Sequence, residues 1–158
     1  MSLHPNLAPV AELIGAWRGP GQGEYPSIES FDYTEELTFT DLGKPFLHYA
    51  QRTWSPAGDP MHVETGYLRL PAEGTVELTL AQPTGQTELA QGHLRHQPEG
   101  FFIEVHARVM NTATAKTVDG TIRRLELAGD ELRTAFSMAA VGHPMNHHLS
   151  SRLRRVDA

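Results

Sequence analysis

The residues of this chain best suited to chemistry are its nine histidines, His4, His48, His62, His93, His96, His106, His143, His147 and His148, in a sequence with no cysteine. Imidazole is therefore the main nitrogen donor available to a metal. Disulfides, thiolate ligands and thiol nucleophiles are excluded. Three of the nine fall in the run His143-Pro144-Met145-Asn146-His147-His148. Neighbouring residues of an extended chain point to opposite faces, so His147 and His148 cannot both enter one interior. Two metal chemistries suit the cluster. A zinc site would use His143 with one of the pair and would need Asp, Glu or another His from elsewhere. A haem site would use one imidazole as the axial ligand inside a cavity.

Either use requires an element that aims the ring, and the pattern supplies strands. Phe31, Tyr33, Leu37 and Phe39 hold odd positions with Asp32, Thr34, Glu36 and Thr38 between them, as in a strand with one buried face. The same reading predicts strands over Phe46 to Thr53, His62 to Leu70, Thr75 to Ala81, Thr87 to His93, Phe101 to Met110, Lys116 to Leu127, Leu132 to Val141 and Leu149 to Val156. Glycine- and proline-bearing segments such as Asp41 to Pro45, Ala72 to Gly74, Pro83 to Gly85 and Ala128 to Asp130 separate them. One short helix is predicted over Asn6 to Ile14, with Leu7, Val10, Leu13 and Ile14 as its apolar stripe, Asn6 as N-cap and Gly15 as stop. About ten short strands joined by tight turns, with no crossover helix, imply an antiparallel meander that closes into a barrel roomy enough for one ligand.

The opening strand carries Gly19, Gly21 and Gly23 on alternate positions, a strip without side chains along one face. Such a strip implies a sharp bend, or a close approach by another backbone or a flat ligand. A phosphate-binding glycine loop is the rival reading, and it fails because Tyr25-Pro26 prevents the helix that motif needs. Pro20 cannot donate to a ladder and points to an edge or a bulge.

Composition narrows the function classes. The 158 residues are the size of one domain, taken as 1–158, with 39% hydrophobic and 20% charged residues. A net charge of −6 repels phosphate backbones, which argues against nucleic acid as a partner. No stretch approaches the roughly 18 apolar residues of a spanning helix, and no signal peptide is visible, so no membrane is expected and the cytoplasm is the expected location.

The run Gly15-x-Trp17-x-Gly19-x-Gly21-x-Gly23-x-Tyr25-Pro26-x-Ile28 resembles the signature of the nitrobindins, small β-barrel haem proteins. The likeness continues through Gly43-Lys44-Pro45-Phe46-Leu47, Glu64-Thr65-Gly66-Tyr67-Leu68-Arg69, Pro83-Thr84-Gly85 and His148-Leu149, and so covers nearly the whole chain. Pro20 and Ser27 depart from the pattern, where a polar or charged residue and a threonine are usual. The resemblance implies an all-β, lipocalin-like or fatty-acid-binding-protein-like closed barrel holding one haem b per chain. It also implies an enzyme whose ferric haem isomerises peroxynitrite to nitrate and which binds nitric oxide; a homodimer is compatible with it. By the same resemblance His148 is the proximal iron ligand, Met138 flanks it, Met61 and His62 face the ring, Gln82 stands at the mouth and Lys116 lies near a propionate. The glycine strip would then border the flat macrocycle.

The main alternative is a barrel that carries a fatty acid or another hydrophobic small molecule without chemistry, gripping its head group with Arg52, Arg69, Arg108, Tyr49 or Tyr67. An interaction module using the barrel wall is a second alternative, and the sequence shows no aromatic or methionine stripe to support it.

Overall fold

The computed structural model describes residues 2–156. Ten strands follow one short helix: β1 (Gly15–Tyr25), β2 (Ile28–Lys44), β3 (Phe46–Trp54), β4 (Pro60–Ala72), β5 (Thr75–Ala81), β6 (Gln86–Gln97), β7 (Gly100–Asn111), β8 (Val118–Ala128), β9 (Glu131–Ala140) and β10 (Asn146–Arg155). Every neighbouring pair is antiparallel, and β1 pairs with both β2 and β10, so the sheet closes into the expected barrel without a free edge. Among the described residues no helix is long and apolar enough to cross a membrane.

The helix differs from expectation in type and boundary. It is a 3₁₀ helix over Pro5–Leu13, its N-cap is His4 rather than Asn6, and Ile14 caps its end. The physical reason lies in its prolines. Pro9 lacks an N–H and its ring crowds the preceding turn, and the backbone leaves helical geometry at the next residue, Val10 (φ −117°, ψ 16°). The His4 ring accepts from the backbone N–H of Asn6 at 3.2 Å, which frees the Asn6 amide to donate to the Leu70 carbonyl on β4. Leu7, Val10 and Leu13 are wholly buried, each contributing roughly 1.5–3 kcal/mol of burial. With Trp17, Phe39, Leu47, Val76, Phe101, Leu127, Leu132 and Leu153 they form an apolar plug that fills this end of the barrel.

Two register slips lie at the helix end, in β2–β3 and β4–β5, and four gather at the opposite end. The β1–β2 register slips between Gly23 and Tyr25, β3–β4 between Thr53 and Trp54, β8–β9 between Val118 and Gly120, and β10–β9 between His147 and Leu149. Bulges bend strands and re-aim side chains, and they gather at barrel rims and functional sites. β8 starts at Val118 instead of Lys116, which leaves Lys116 on the rim of this end.

The glycine strip serves the protein's own side chains. A Cβ on Gly21 would lie 2.3 Å from the Tyr33 ring, and one on Gly23 2.2 Å from the Phe31 ring, while one on Gly19 would strike the Arg152 carbonyl. Phe31 and Tyr33 sit directly across from Gly23 and Gly21 on β2 and fold over them. The expectation that a flat ligand borders these glycines is therefore corrected: the two rings cover the strip and themselves face the lumen. Pro20 lies within the barrel wall rather than at an edge; its position and that of Gly19 are unpaired on the β10 side, where a donor is not required.

Candidate functional site

A cavity of about 300 Å³ opens at the irregular end and reaches inward to Leu37, Leu78 and Ile103. Five of the six residues expected at the site share its wall: Met61, His62, Gln82, Met138 and His148. Lys116 does not. It is exposed two residues before β8, and its carbonyl accepts from Gln86.

His148 occupies the bulge on β10. His147 pairs with Ser137 and Leu149 with Phe136, so one residue of β10 is left over between them. This places His147 on the exposed outer wall and turns His148 inward, half-buried. The His148 Nδ1 lies 2.8 Å from the Glu24 carbonyl, which can only accept, so Nδ1 carries the proton and Nε2 is a free lone pair. Glu24 is itself in the irregular end of β1, so two bulged strands make this bond together. Tyr25, Phe31 and Phe136 surround the imidazole with ring centroids 5.4, 6.3 and 6.1 Å away. Burial in this apolar collar, with a smaller push from His147, lowers the His148 pKa from its ordinary value against the pull of the Glu24 carbonyl.

Tyr25 fixes the collar. Its hydroxyl accepts from the Ala140 N–H at 3.0 Å and donates to the Met138 carbonyl at 3.1 Å, tying the end of β1 to the end of β9 across β10. Met61 reaches the cavity because it is the unpaired residue of the β3–β4 slip. His62 follows with Nε2 4.0 Å from Glu64 Oε1. His143 stacks edge-on against Tyr25 at 5.6 Å, apart from His147. Among the described residues no three His, Asp or Glu side chains converge as metal ligands, so the zinc reading of this cluster finds no site.

Sequence reasoning missed a polar belt halfway down the lumen. Arg123 on β8 reaches across to two other strands. Its Nε and Nη2 hold Glu88 at 3.2 and 2.7 Å, and its Nη1 holds Glu64 at 3.2 Å. Thr121 and Gln82 also donate to Glu88. Glu35 on β2 accepts from Gln51 and Ser151, each at 2.8 Å. The Arg123 guanidinium lies 4.6 Å above the Phe136 ring, which in turn packs against His148, so belt and collar touch. Arg123, with its hydrogen bonds and those from Thr121 and Gln82, holds the Glu88 carboxyl below its ordinary pKa even though desolvation, the largest influence, pushes it up. The signal was present in the sequence: Glu35 shares the odd-position face of Phe31, Tyr33, Leu37 and Phe39.

The head-group residues of the carrier alternative are mostly outside. Arg52 and Arg69 are exposed and pair with Glu36 and Glu77, and Arg108 and Tyr67 are exposed on the outer wall. Only Tyr49 faces the lumen. The outer wall also carries exposed Tyr67, Leu89 and Met110, which the sequence reading did not mark as apolar surface.

The donor set suits haem. A neutral imidazole with a free Nε2, an orienting carbonyl on Nδ1 and a collar of aromatic rings is what an axial haem ligand requires.

Comparisons with known proteins place this architecture among relatives. The family model described as the THAP4-like, heme-binding beta-barrel domain matches residues 6–155. The chain is 48% identical over 157 residues to a peroxynitrite isomerase of Nocardia farcinica, covering 98% of this chain and 94% of that one. It is 50% identical to peroxynitrite isomerase 2 of Mycobacterium ulcerans, covering 97% and 96%. The crystal structure of Rv2717c from M. tuberculosis matches with a TM-score of 0.96 at 40% identity, covering 99% of this chain and 100% of that one.

Proposed function

The chain belongs to the THAP4-like, heme-binding β-barrel family, and from that premise we propose that it is a haem-dependent peroxynitrite isomerase whose iron is held by His148. The observation that carries the assignment of the ligand is the bulge that turns His148 into the cavity with Nδ1 bound to Glu24 and Nε2 free. When bound, ferric haem supplies the Lewis-acid and redox chemistry of the reaction.

Isomerisation keeps every atom and electron of the substrate. The chain therefore need not supply a stoichiometric acid, base or reductant; its task is to bind, orient and shield. His148 is already neutral in the folded protein near pH 7, so little proton release opposes metal binding. The Glu24 carbonyl fixes the ring plane and tautomer and raises the basicity of Nε2. Phe31, Phe136 and Met138 line the cavity beside His148 and would keep water from the iron it holds. Met61, His62 and Gln82 line the rest of the mouth, and Lys116, exposed on the rim, would be the cation that pairs with a propionate. Nitric oxide, small and uncharged, is the second ligand of this reading.

The carrier alternative is disfavoured by charge. The inward-facing cation of the belt, Arg123, is already engaged by Glu64 and Glu88 and is not free to grip a fatty-acid head. The test is the nitrate yield and decay rate of peroxynitrite mixed rapidly with haem-loaded protein. Decay faster than haemin in buffer, with nitrate as product, is expected; decay no faster than the buffer control would leave only a haem binder.

A further inference from the structure

Two buried side-chain oxygens of the described residues have no hydrogen-bond partner, Gln51 Oε1 and Glu64 Oε2. They belong to residues directly opposed on β3 and β4, and both side chains line the cavity. Each oxygen is an acceptor, so neither can satisfy the other. Arg123 Nη2 approaches Glu64 Oε2 to 3.0 Å as an ion pair, while its well-aligned hydrogen bond goes to Glu88 at 2.7 Å. On its other side Gln51 donates from Nε2 to Glu35 Oε2. Glu35 is 3% exposed and, among the described residues, has no cation within ion-pair distance; Ser151 donates to its second oxygen, with Thr134 behind.

A half-turn of the Gln51 amide exchanges its oxygen and nitrogen, which have nearly the same shape. So turned, the amide presents its N–H donors on the side of Glu64, its directly opposed neighbour on β4. Its oxygen then meets Glu35 Oε2, and two oxygens at that distance need a hydrogen between them. One proton on Glu35 thus gives the Gln51 oxygen its partner and frees the amide N–H groups for the Glu64 side. Leaving the amide as it stands and putting the proton on Glu64 would set a neutral acid against Arg123 and strand Glu35 as a buried carboxylate without a counter-charge.

We propose that Glu35 is a proton-binding site inside the barrel: a neutral carboxylic acid at neutral pH that donates to Gln51 Oε1, while the Gln51 amide donates to ionised Glu64. The groups around it act in the same sense on balance. Burial is the largest influence and raises the Glu35 pKa, as does the charge of Glu64, against the hydrogen bonds from Ser151 and Gln51 and the charge of Arg123. Tyr33 on the same strand and Tyr49 on β3 are held as neutral phenols, chiefly by burial, and add no charge. The stored proton lessens the negative charge of the belt toward an anion entering from the mouth; this consequence, unlike the proton itself, rests on the reading in the preceding subsection.

The test is infrared spectroscopy of the purified full-length protein without added haem, at neutral pH in H₂O and D₂O, on the wild type, Glu35→Gln and Glu64→Gln. The expected result is the deuterium-sensitive carbonyl stretch of a neutral carboxylic acid in the wild type, lost in Glu35→Gln and retained in Glu64→Gln. Its absence from the wild type, its persistence in Glu35→Gln or its loss in Glu64→Gln overturns the proposal. Should Glu35→Gln fail to fold, a pH titration of the glutamate side-chain ¹³C resonances of the wild type decides. One resonance held at its protonated position through neutral pH supports the site, and ionisation of every glutamate in the ordinary range refutes it.

Discussion

Replacing Arg123 with methionine keeps most of the side chain's bulk and removes its charge, leaving Glu64 (5% exposed) and Glu88 (1% exposed) without their cation. Breaking a buried ion pair from one side costs about 3–5 kcal/mol, because the remaining charge is stranded in a low-dielectric interior. For a domain of this size, at about 2–4 °C per kcal/mol, the melting temperature should fall by roughly 6–20 °C. The pH dependence carries the sharper sign. In the wild type Glu88 is held below its ordinary value, so its contribution is present above that value and lost as pH falls through the lowered one. In Arg123→Met, burial without a cation raises Glu88. Its contribution is then complete below the ordinary glutamate range and is lost as pH rises through the raised value. Removing Arg123 also takes away a charge that lowers Glu35, so Glu35 shifts upward with it and adds to the difference in the same sense. Urea unfolding of both proteins between about pH 5 and pH 8 should show a deficit that grows with pH. A deficit under about 1 kcal/mol, or one equal at both ends, would refute the assignment of Arg123 as the counter-charge of the belt.

Gly23→Ala should cost about 1–3 kcal/mol in chemical denaturation and also weaken haemin binding, because the new Cβ displaces the Phe31 ring from beside His148; unchanged stability would mean Phe31 is free to move. Tyr25→Phe leaves the Ala140 N–H without its partner and should lower stability by about 1–3 kcal/mol; an unaffected melting curve would count against the pin between β1 and β9. Haemin affinity should be level above pH 6.5 and fall by about tenfold per unit below the lowered pKa of His148, since a proton competes for Nε2. A midpoint above 6.5 in spectrophotometric titrations would contradict the buried neutral imidazole.

Alternation was enough to read the barrel: the inward residues Phe31, Tyr33, Leu37, Phe39, Val76, Leu78, Phe101 and Ile103 are half-buried or fully buried, and the turns fall where glycine and proline mark them. The helix type escaped because the spacing of Leu7, Val10 and Leu13 suits an α-helix, while Pro9 disturbs the backbone they ride on. Bulges escaped as well. A one-residue slip such as that at His148 depends on pairing between distant segments and leaves no periodic trace. The cavity wall drew on the family likeness for Met61, His62, Gln82 and Met138, and parity alone would have put Met61 outside. The belt was legible in part: Glu35 and Arg123 lie on inward parity, but their pairing across the lumen needs the closed sheet.

The most direct test of the account is a haemin titration of the purified protein, followed by the Soret band, on the wild type, His148→Ala and His147→Ala. The bulge predicts saturation at one haem per chain for the wild type and His147→Ala, with binding in His148→Ala abolished or weakened by tenfold or more. Wild-type affinity in His148→Ala, or loss confined to His147→Ala, would contradict it.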